Sequence, residues 1–417
     1  MQQSNDKLAL TTLVASLGGF LFGFDMAVVS GVLPLVQKQF DLSSLQEGWF
    51  VSSALVGCIT GVIFASDLSD RLGRKKTLFL SAFFFLLAAL GCTFLRDFSP
   101  LIIARIIGGL AVGITSSVVP LYLSEIAPDS KRGRMVTFYQ LAITIGIFSA
   151  YLSNSLIQKM DTDNWRMMFG VGMLPAVLFL LGLTLIPESP RWLLQEKQTT
   201  QTSGYRELFA PDLRRALLIG ILLPLFSQFS GINAIIYYGP TILLKAGITL
   251  SNSLLSQLFF GAANVLFTLV AIWKVDSLGR RPLYLWGTAG ATVSLLLTGI
   301  CFYTGATEGI WLLLCVLSFL AFFAFSIGPL KFVIAAEIFP DGIRAKALSL
   351  SIMVMWVADA IVGQLTPMLL NSLGTAQTFW FFALFCLLAF IAVYKLLPET
   401  KGKSLEQIQN HWKGLMH

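Results

Sequence analysis

Four ionisable side chains, Asp25, Arg105, Lys331 and Asp359, stand inside long apolar runs of this chain. If those runs cross a bilayer, each charge at its centre costs on the order of 3 kcal/mol on insertion scales, so each must face a protein interior and find a partner. Asp25 and Arg105 are opposite in sign and fall in the same half of the chain. Charge alone leaves two readings of them: a proton site, where protonation of Asp25 releases Arg105, or a permanent ion pair. Lys331 and Asp359 make a second candidate pair. Asp359 lies three residues after Trp356, so the two share a helix face. This pair either lines a cavity and touches a solute or neutralises itself between helices, and near a helix end Lys331 would simply snorkel. Gln140, Asn154, Gln228, Asn233, Asn264 and Gln364 are amides in the same kind of surroundings. Amides carry donors and acceptors that suit a hydroxyl-rich ligand, and Phe22, Tyr237, Tyr238, Phe332 and Trp356 have rings that can flank one. Any single one of them is equally explained by interhelical packing. The set points to a neutral polyol.

Bond-making chemistry finds no support. The only histidines are His411 and His417, in the tail, and Cys58, Cys92, Cys301, Cys315 and Cys386 lie in apolar runs without paired spacing. These cysteines read as small buried hydrophobes. No nucleotide loop, metal cluster or nucleophile triad is present, and Ser230-Gly231-Ile232 sits in an apolar run with no histidine available. The chain is expected to be no enzyme and to need no cofactor or metal.

The elements that must position these residues follow from composition. Hydrophobic residues make up 56% of the 417 and charged residues 12%, against about 25% charged in a soluble domain. The mean hydropathy is +0.77. Lipid must be the solvent for most of the chain. Runs near 9–31, 48–66, 77–95, 100–122, 136–157 and 167–186, then 215–243, 253–275, 283–304, 309–333, 345–370 and 377–397, read as twelve spans. Each is about the 20 residues that a crossing helix needs, and each is too long and continuously apolar for a barrel strand. The first run outlasts a signal peptide and lacks a small-residue cleavage pattern, so it reads as the first span. The net charge of +7 forms no patch on a polar domain, which argues against nucleic acid as a partner. Five cations, Lys38, Arg96, Lys159, Arg166 and Lys245, fall in external loops, and Arg105 and Lys331 within spans. All the rest of the 29 Lys and Arg are cytoplasmic if both termini are inside, as the positive-inside rule requires.

Three motifs recur in the same order at nearly constant offset. Asp70-Arg71-Leu72-Gly73-Arg74-Lys75 returns as Asp276-Ser277-Leu278-Gly279-Arg280-Arg281. Glu125-Ile126-Ala127-Pro128 with Arg132 returns as Glu337-Ile338-Phe339-Pro340 with Arg344, and Pro187-Glu188-Ser189 as Pro398-Glu399-Thr400. The chain therefore reads as two six-helix halves: 1–190, a short cytoplasmic linker 191–214, 215–398, and a cytoplasmic tail 399–417. Carriers place their solute near the midplane between such halves. Asp70, Arg71, Arg74, Glu125, Arg132, Asp276, Arg280, Arg281, Glu337 and Arg344 read either as topology-setting charge or, given the duplication, as a cytoplasmic charge latch that breaks between states. Gly57 and Gly61 in the second span predict close helix packing.

Gly18-Gly19-Phe20-Leu21-Phe22-Gly23-Phe24-Asp25, the duplicated charged turns, Pro187-Glu188-Ser189-Pro190-Arg191, Gln228-Phe229-Ser230-Gly231-Ile232-Asn233 and Pro398-Glu399-Thr400-Lys401-Gly402 together resemble the sugar porter family of the major facilitator superfamily. The resemblance covers nearly the whole chain and is specific for the family rather than for the sugar. It is similar above all to the bacterial proton–sugar symporters, which carry an aspartate where Asp25 stands. It implies sugar contacts at Gln140, Gln228, Asn233, Asn264 and Trp356, a cavity aromatic at Phe22, proton coupling at Asp25 and Arg105, and an outer gate at Tyr237 and Tyr238. The chain departs from the family at Ser227, where a glutamine is usual, at Phe332, where a tryptophan is usual, and at Met355, where an amide is usual. The charges of Lys331 and Asp359 and the short linker are further departures, and all of them leave the sugar open. The expectation is an all-α major facilitator carrier moving a monosaccharide inward with a proton across the cell membrane, with no obligatory protein partner. Its rivals are a sugar uniporter, a carrier of another small polar solute such as a polyol, and a non-transporting membrane sugar sensor.

Overall fold

A computed structural model of the protein describes residues 5–128, 132–160, 164–195, 208–307, 310–339 and 341–399. Among them every regular element is helical, because backbone groups in hydrocarbon must be satisfied within their own segment. The elements are α1 (Asn5–Phe40), α2 (Ser44–Leu72), α3 (Arg74–Phe94), α4 (Phe98–Ile126), α5 (Arg132–Ile157), α6 (Asn164–Gly170), α7 (Met173–Leu185) and α8 (Pro190–Gln195). After a 3-10 turn at Pro211–Leu213 come α9 (Arg214–Phe229), α10 (Ile232–Lys245), α11 (Leu250–Leu278), α12 (Arg280–Thr304), α13 (Ile310–Phe322), α14 (Gly328–Ile338), α15 (Asp341–Ser372) and α16 (Thr375–Leu396). They supply 12 helical runs long and apolar enough to cross a membrane. Most extend past the apolar runs read from sequence, since the ladder continues into polar ends. At the start of α2, for example, Ser43 and Gln46 form a reciprocal capping box.

Three spans are interrupted. The sixth is divided into α6 and α7 at residues 171–172, and the seventh into α9 and α10 at Gly231. The tenth carries a π turn, Phe323–Ile327, between α13 and α14.

The helices pack into two compact units. Unit 1 comprises Met1–Thr200, Ile236–Ala262 and Gly363–Met368; unit 2 comprises Gln201–Ile235, Ala263–Val362 and Leu369–His417. Lipid tails give no hydrophobic drive between helices, so close approach of backbones must supply the attraction. In unit 1, α2 lies on α4 along Gly57 and Gly61 facing Gly109 and Gly113. A β-carbon on Gly57 would strike the Ile106 carbonyl, one on Gly109 the Ala54 carbonyl, and one on Gly113 the Cys58 carbonyl. The predicted packing role of Gly57 and Gly61 is thus met by a matching glycine pair on α4. Gly19 and Gly23 on α1 and Gly146 on α5 bring those two helices together in the same manner. In unit 2, α12 packs on α16 and α13, and α9 on α14 and α16.

Carboxylates tie down the repeated turns. Gly73, at φ +95°, lets the chain reverse between α2 and α3. The Glu188 carboxylate then accepts the Lys75 backbone N–H (3.1 Å) and that of Ser189 (2.8 Å). Its repeat mate Glu399 accepts the N–H groups of Arg280 (3.0 Å) and Arg281 (3.2 Å) beside Gly279, at φ +87°. Each carboxylate thereby satisfies orphan donors at a helix start and opposes the positive end of its dipole. Arg74 is buried. It donates Nε to Glu125 Oε2 (3.0 Å) and Nη2 to Glu125 Oε1 (2.9 Å), and its Nη1 reaches Asp70 (2.8 Å) and the Ser69 carbonyl (3.1 Å). Ser189 Oγ donates to Glu125 at 2.5 Å.

Two outcomes are expected. Gly109→Val forces a side chain into the α2 backbone, and overpacking of that kind costs about 1–3 kcal/mol or more; a lowered melting midpoint in detergent checks it. Arg74→Gln strands a Glu125 side chain that is only 6% exposed, at about 3–5 kcal/mol. Asp70→Asn, at a side chain 63% exposed, should cost under about 1 kcal/mol. Equal melting shifts in the two variants would contradict this ranking.

Candidate functional site

Asp25 and Arg105 meet inside unit 1. Gly23 lets α1 close on the α5 backbone at Ile143, which holds Asp25 among packed helices, and Arg105 comes from α4. Arg105 Nη1 stands 3.3 Å from Asp25 Oδ2 and 3.5 Å from the Asp25 carbonyl oxygen. The guanidinium carbon lies 5.8 Å from the Phe50 ring centre and 5.6 Å from that of Phe169. Its Nε is buried with no hydrogen-bond partner. The arginine is sealed, whereas the Asp25 side chain keeps 18% exposure. One long contact replaces the short forked pair that an arginine and a carboxylate can make at about 2.7–2.9 Å. A partly open carboxylate facing a sealed cation is a group that can take up a proton and change what its neighbour pairs with.

The seventh span builds the second cluster, in unit 2. α9 stops at Phe229, the Ser230 N–H bonds the Phe226 carbonyl at 2.9 Å, and Gly231 turns at φ +83° where a β-carbon would collide with Phe382. Broken helices of this kind are where carriers expose polar groups to solutes. Gln228 and Asn233 flank the break, and Asn233 Nδ2 donates to Gln228 Oε1 at 2.9 Å. The Gln228 amide N–H groups and Asn233 Oδ1 remain for other partners, one donor set and one acceptor. Next to them Ser227, fully buried, accepts from Lys331 Nζ at 3.0 Å. Lys331 is 7% exposed, so it does not snorkel. Trp356 and Asp359 are buried on α15, and Asn264 is half-buried on α11. The Phe332 side chain lies outside the described residues.

In unit 1, Phe22 on α1 and Gln140 on α5 are half-buried. Tyr237 and Tyr238 on α10 are buried there: the Tyr237 hydroxyl reaches Met26 Sδ at 3.7 Å and that of Tyr238 donates to the Gly363 carbonyl at 2.6 Å. Two of the six intramembrane amides prove to be interhelical ties. Gln364 accepts from Ser52 Oγ at 2.8 Å and donates to the Leu45 carbonyl at 3.1 Å. Asn154 Nδ2 donates to the Val28 carbonyl at 3.1 Å.

Among the latch residues, Arg74, Asp70 and Glu125 form the network described above, while Arg71 is exposed. Arg281 Nη2 donates to the Tyr394 carbonyl at 2.7 Å, with the guanidinium 5.6 Å from the Tyr394 ring centre, and Arg280 engages Glu399 through its backbone. The side chains of Arg132, Asp276, Glu337 and Arg344 lie outside the described residues. Sequence reasoning missed Glu188, Ser189 and Glu399 as members of these clusters, although their recurrence beside the charged turns was a usable signal.

A family model described as "Sugar (and other) transporter" matches residues 11–205 and 195–412. The chain is 38% identical to an arabinose-proton symporter of Bacillus subtilis (strain 168), over 97% of this chain and 94% of that one. It is 34% identical to the D-xylose-proton symporter of Escherichia coli (strain K12), over 99% and 97% of the two chains. A solved structure of the xylose transporter from E. coli in an inward open conformation superposes with a TM-score of 0.85 at 34% identity, covering 97% of this chain and 100% of the other. Such proteins are transporters and not enzymes, and twelve crossing-length helices in this arrangement are the major facilitator fold. The chain is a multi-pass membrane protein that belongs to the sugar transporter family of the major facilitator superfamily.

Proposed function

We propose that the protein imports a monosaccharide, hexose or pentose, by proton symport with alternating access, across a cell membrane with both termini in the cytoplasm. The observation that carries this reading is the Asp25–Arg105 pair, with its partly open carboxylate and sealed guanidinium. Protonation of Asp25 removes the charge that faces Arg105. If the two states of the carrier differ in how they hold that pair, the proton biases the equilibrium between them, and by linkage the sugar biases proton uptake equally. The similarity to the arabinose-proton and D-xylose-proton symporters supports the same assignment.

Sugar contacts are assigned to Gln228 and Asn233, whose remaining donors and acceptor match a hydroxyl pair, with Gln140, Asn264, Trp356, Phe22 and Phe332 completing the set. Tyr237 and Tyr238 are assigned to the outer gate and the repeated charged turns to the cytoplasmic latch. The bilayer, the sugar and the proton suffice as partners, and no cofactor is needed.

Proteoliposomes with a pH dye in the lumen test the coupling. Adding the transported hexose or pentose outside should acidify the lumen. Asp25→Asn should abolish that signal and uphill accumulation while sugar exchange persists. Exchange without acidification in the unaltered protein would identify a uniporter. Gln228→Ala and Asn233→Ala should each weaken sugar binding by about 1–3 kcal/mol, the range for leaving a buried polar partner unmatched, measured by isothermal titration. Unchanged affinity in both would move the sugar site elsewhere.

A further inference from the structure

Lys331 is a buried cation that the proton–sugar reading does not use. Its ammonium donates to Ser227 Oγ at 3.0 Å and lies 6.0 Å from the centre of the Phe323 ring. Asp359 on α15, opposite in charge, is 1% exposed in the same unit. All of these residues belong to unit 2. Ser227 directly precedes Gln228, so the ammonium reaches the last turn of α9, one residue along the chain from Gln228, whose partner Asn233 lies on α10 just past the break. The helix break fixes that turn: Ser230 Oγ donates to the Ser227 carbonyl at 2.6 Å and the Gly231 N–H to the Gln228 carbonyl at 3.1 Å.

The other wall is equally specific. The π turn Phe323–Ile327 precedes α14 and is anchored by Ser326 Oγ on the Leu283 carbonyl at 2.8 Å. One extra residue in a helical turn rotates everything after it by roughly 100°, so the direction of Lys331 depends on this turn. The Lys331 ammonium carries three N–H donors, and Ser227, next to Gln228, accepts one of them.

We infer that Lys331 and Asp359, through Ser227, form a charged second arm of the sugar site, which grips one sugar hydroxyl and so sets which sugar is accepted. This rests on the reading of Gln228 and Asn233 as sugar contacts. The two charges of the arm cancel, which suits a neutral sugar. A sugar acid would add a net negative charge that this pair leaves unbalanced. Charge-assisted hydrogen bonds are roughly twice as strong as neutral ones, and a site built to bond a hydroxyl rejects an analogue that lacks it.

The test is equilibrium exchange of labelled D-xylose, L-arabinose and D-glucose in proteoliposomes, followed by competition with the monodeoxy analogues of whichever sugar exchanges. In the unaltered protein one deoxy position should compete at least about tenfold more weakly than the parent sugar because of this arm. In the charge-neutral double variant Lys331→Met/Asp359→Asn that penalty should collapse to within about twofold, while the penalty relieved by Gln228→Ala stays at a different carbon. Penalties unchanged at every carbon would make the pair purely structural and overturn the inference, as would stronger competition by glucuronate than by the neutral sugars. Should the double variant not fold, Ser227→Ala removes the hydroxyl partner with a smaller change and decides by the same readout. If the unaltered protein exchanges no sugar, the sugar-carrier reading itself fails and takes this arm with it.

Discussion

Hydrocarbon offers no hydrogen bonds, and every feature of this molecule answers to that lack. A backbone N–H or C=O left open in lipid costs several kcal/mol, so the chain crosses as helices and departs from them only where something else closes the ladder. At Gly231 the Ser230 and Gly231 N–H groups turn back on the Phe226 and Gln228 carbonyls. At the π turn Ser326 reaches across to α12. The polar side chains obey the same rule. Gln364 spends both ends of its amide on neighbouring helices and Asn154 its Nδ2, while Asn154 Oδ1 and Arg105 Nε stay buried without a hydrogen-bond partner.

The packing residues and the charged residues sit on the same helices, which links stability to site geometry. α1 approaches α5 because Gly19, Gly23 and Gly146 lack side chains, and Asp25 is two residues beyond Gly23. α4 approaches α2 through Gly109 and Gly113, and Arg105 is one turn before Gly109. These backbone contacts position the helices that carry the pair, whose Oδ2 and Nη1 stand 3.3 Å apart. The glycine contacts at Gly23 and Gly109 do not involve the charges of the pair, so a proton on Asp25 leaves them unaltered.

Much of this was legible in the sequence because apolar surroundings make exceptions conspicuous. Twelve runs announced twelve crossings, Asp25 and Arg105 stood out as opposite charges, and the recurrence of the charged turns exposed the duplication. Other features left no local trace. The seventh run read as one span across 215–243, since a lone glycine is tolerated in a helix and only a positive φ reveals the break. The π turn has no compositional signature. The six intramembrane amides look alike in sequence, and only their neighbours separate Gln364 and Asn154, which tie helices, from Gln228 and Asn233, which face each other across a break. Glu188 and Glu399 read as helix ends, while their carboxylates cap helices more than a hundred residues earlier.

Buried charge is present in both units. Asp25 and Arg105 lie wholly in unit 1, and Lys331 and Asp359 wholly in unit 2, so each unit carries its own opposite charges through the membrane and neither depends on the other for neutrality. A proton arriving at Asp25 changes the balance of unit 1 alone, while Gln228 and Asn233 belong to unit 2. On the proposed reading the sugar contacts are shared, since Phe22 and Gln140 lie in unit 1 with Asp25. Under the proposed symport, proton and sugar are coupled to the extent that each biases the equilibrium between states of the carrier. Under that proposal a substitution at Asp25 leaves the Gln228–Asn233 hydrogen bond in unit 2 intact, so sugar exchange can outlast the loss of the proton step.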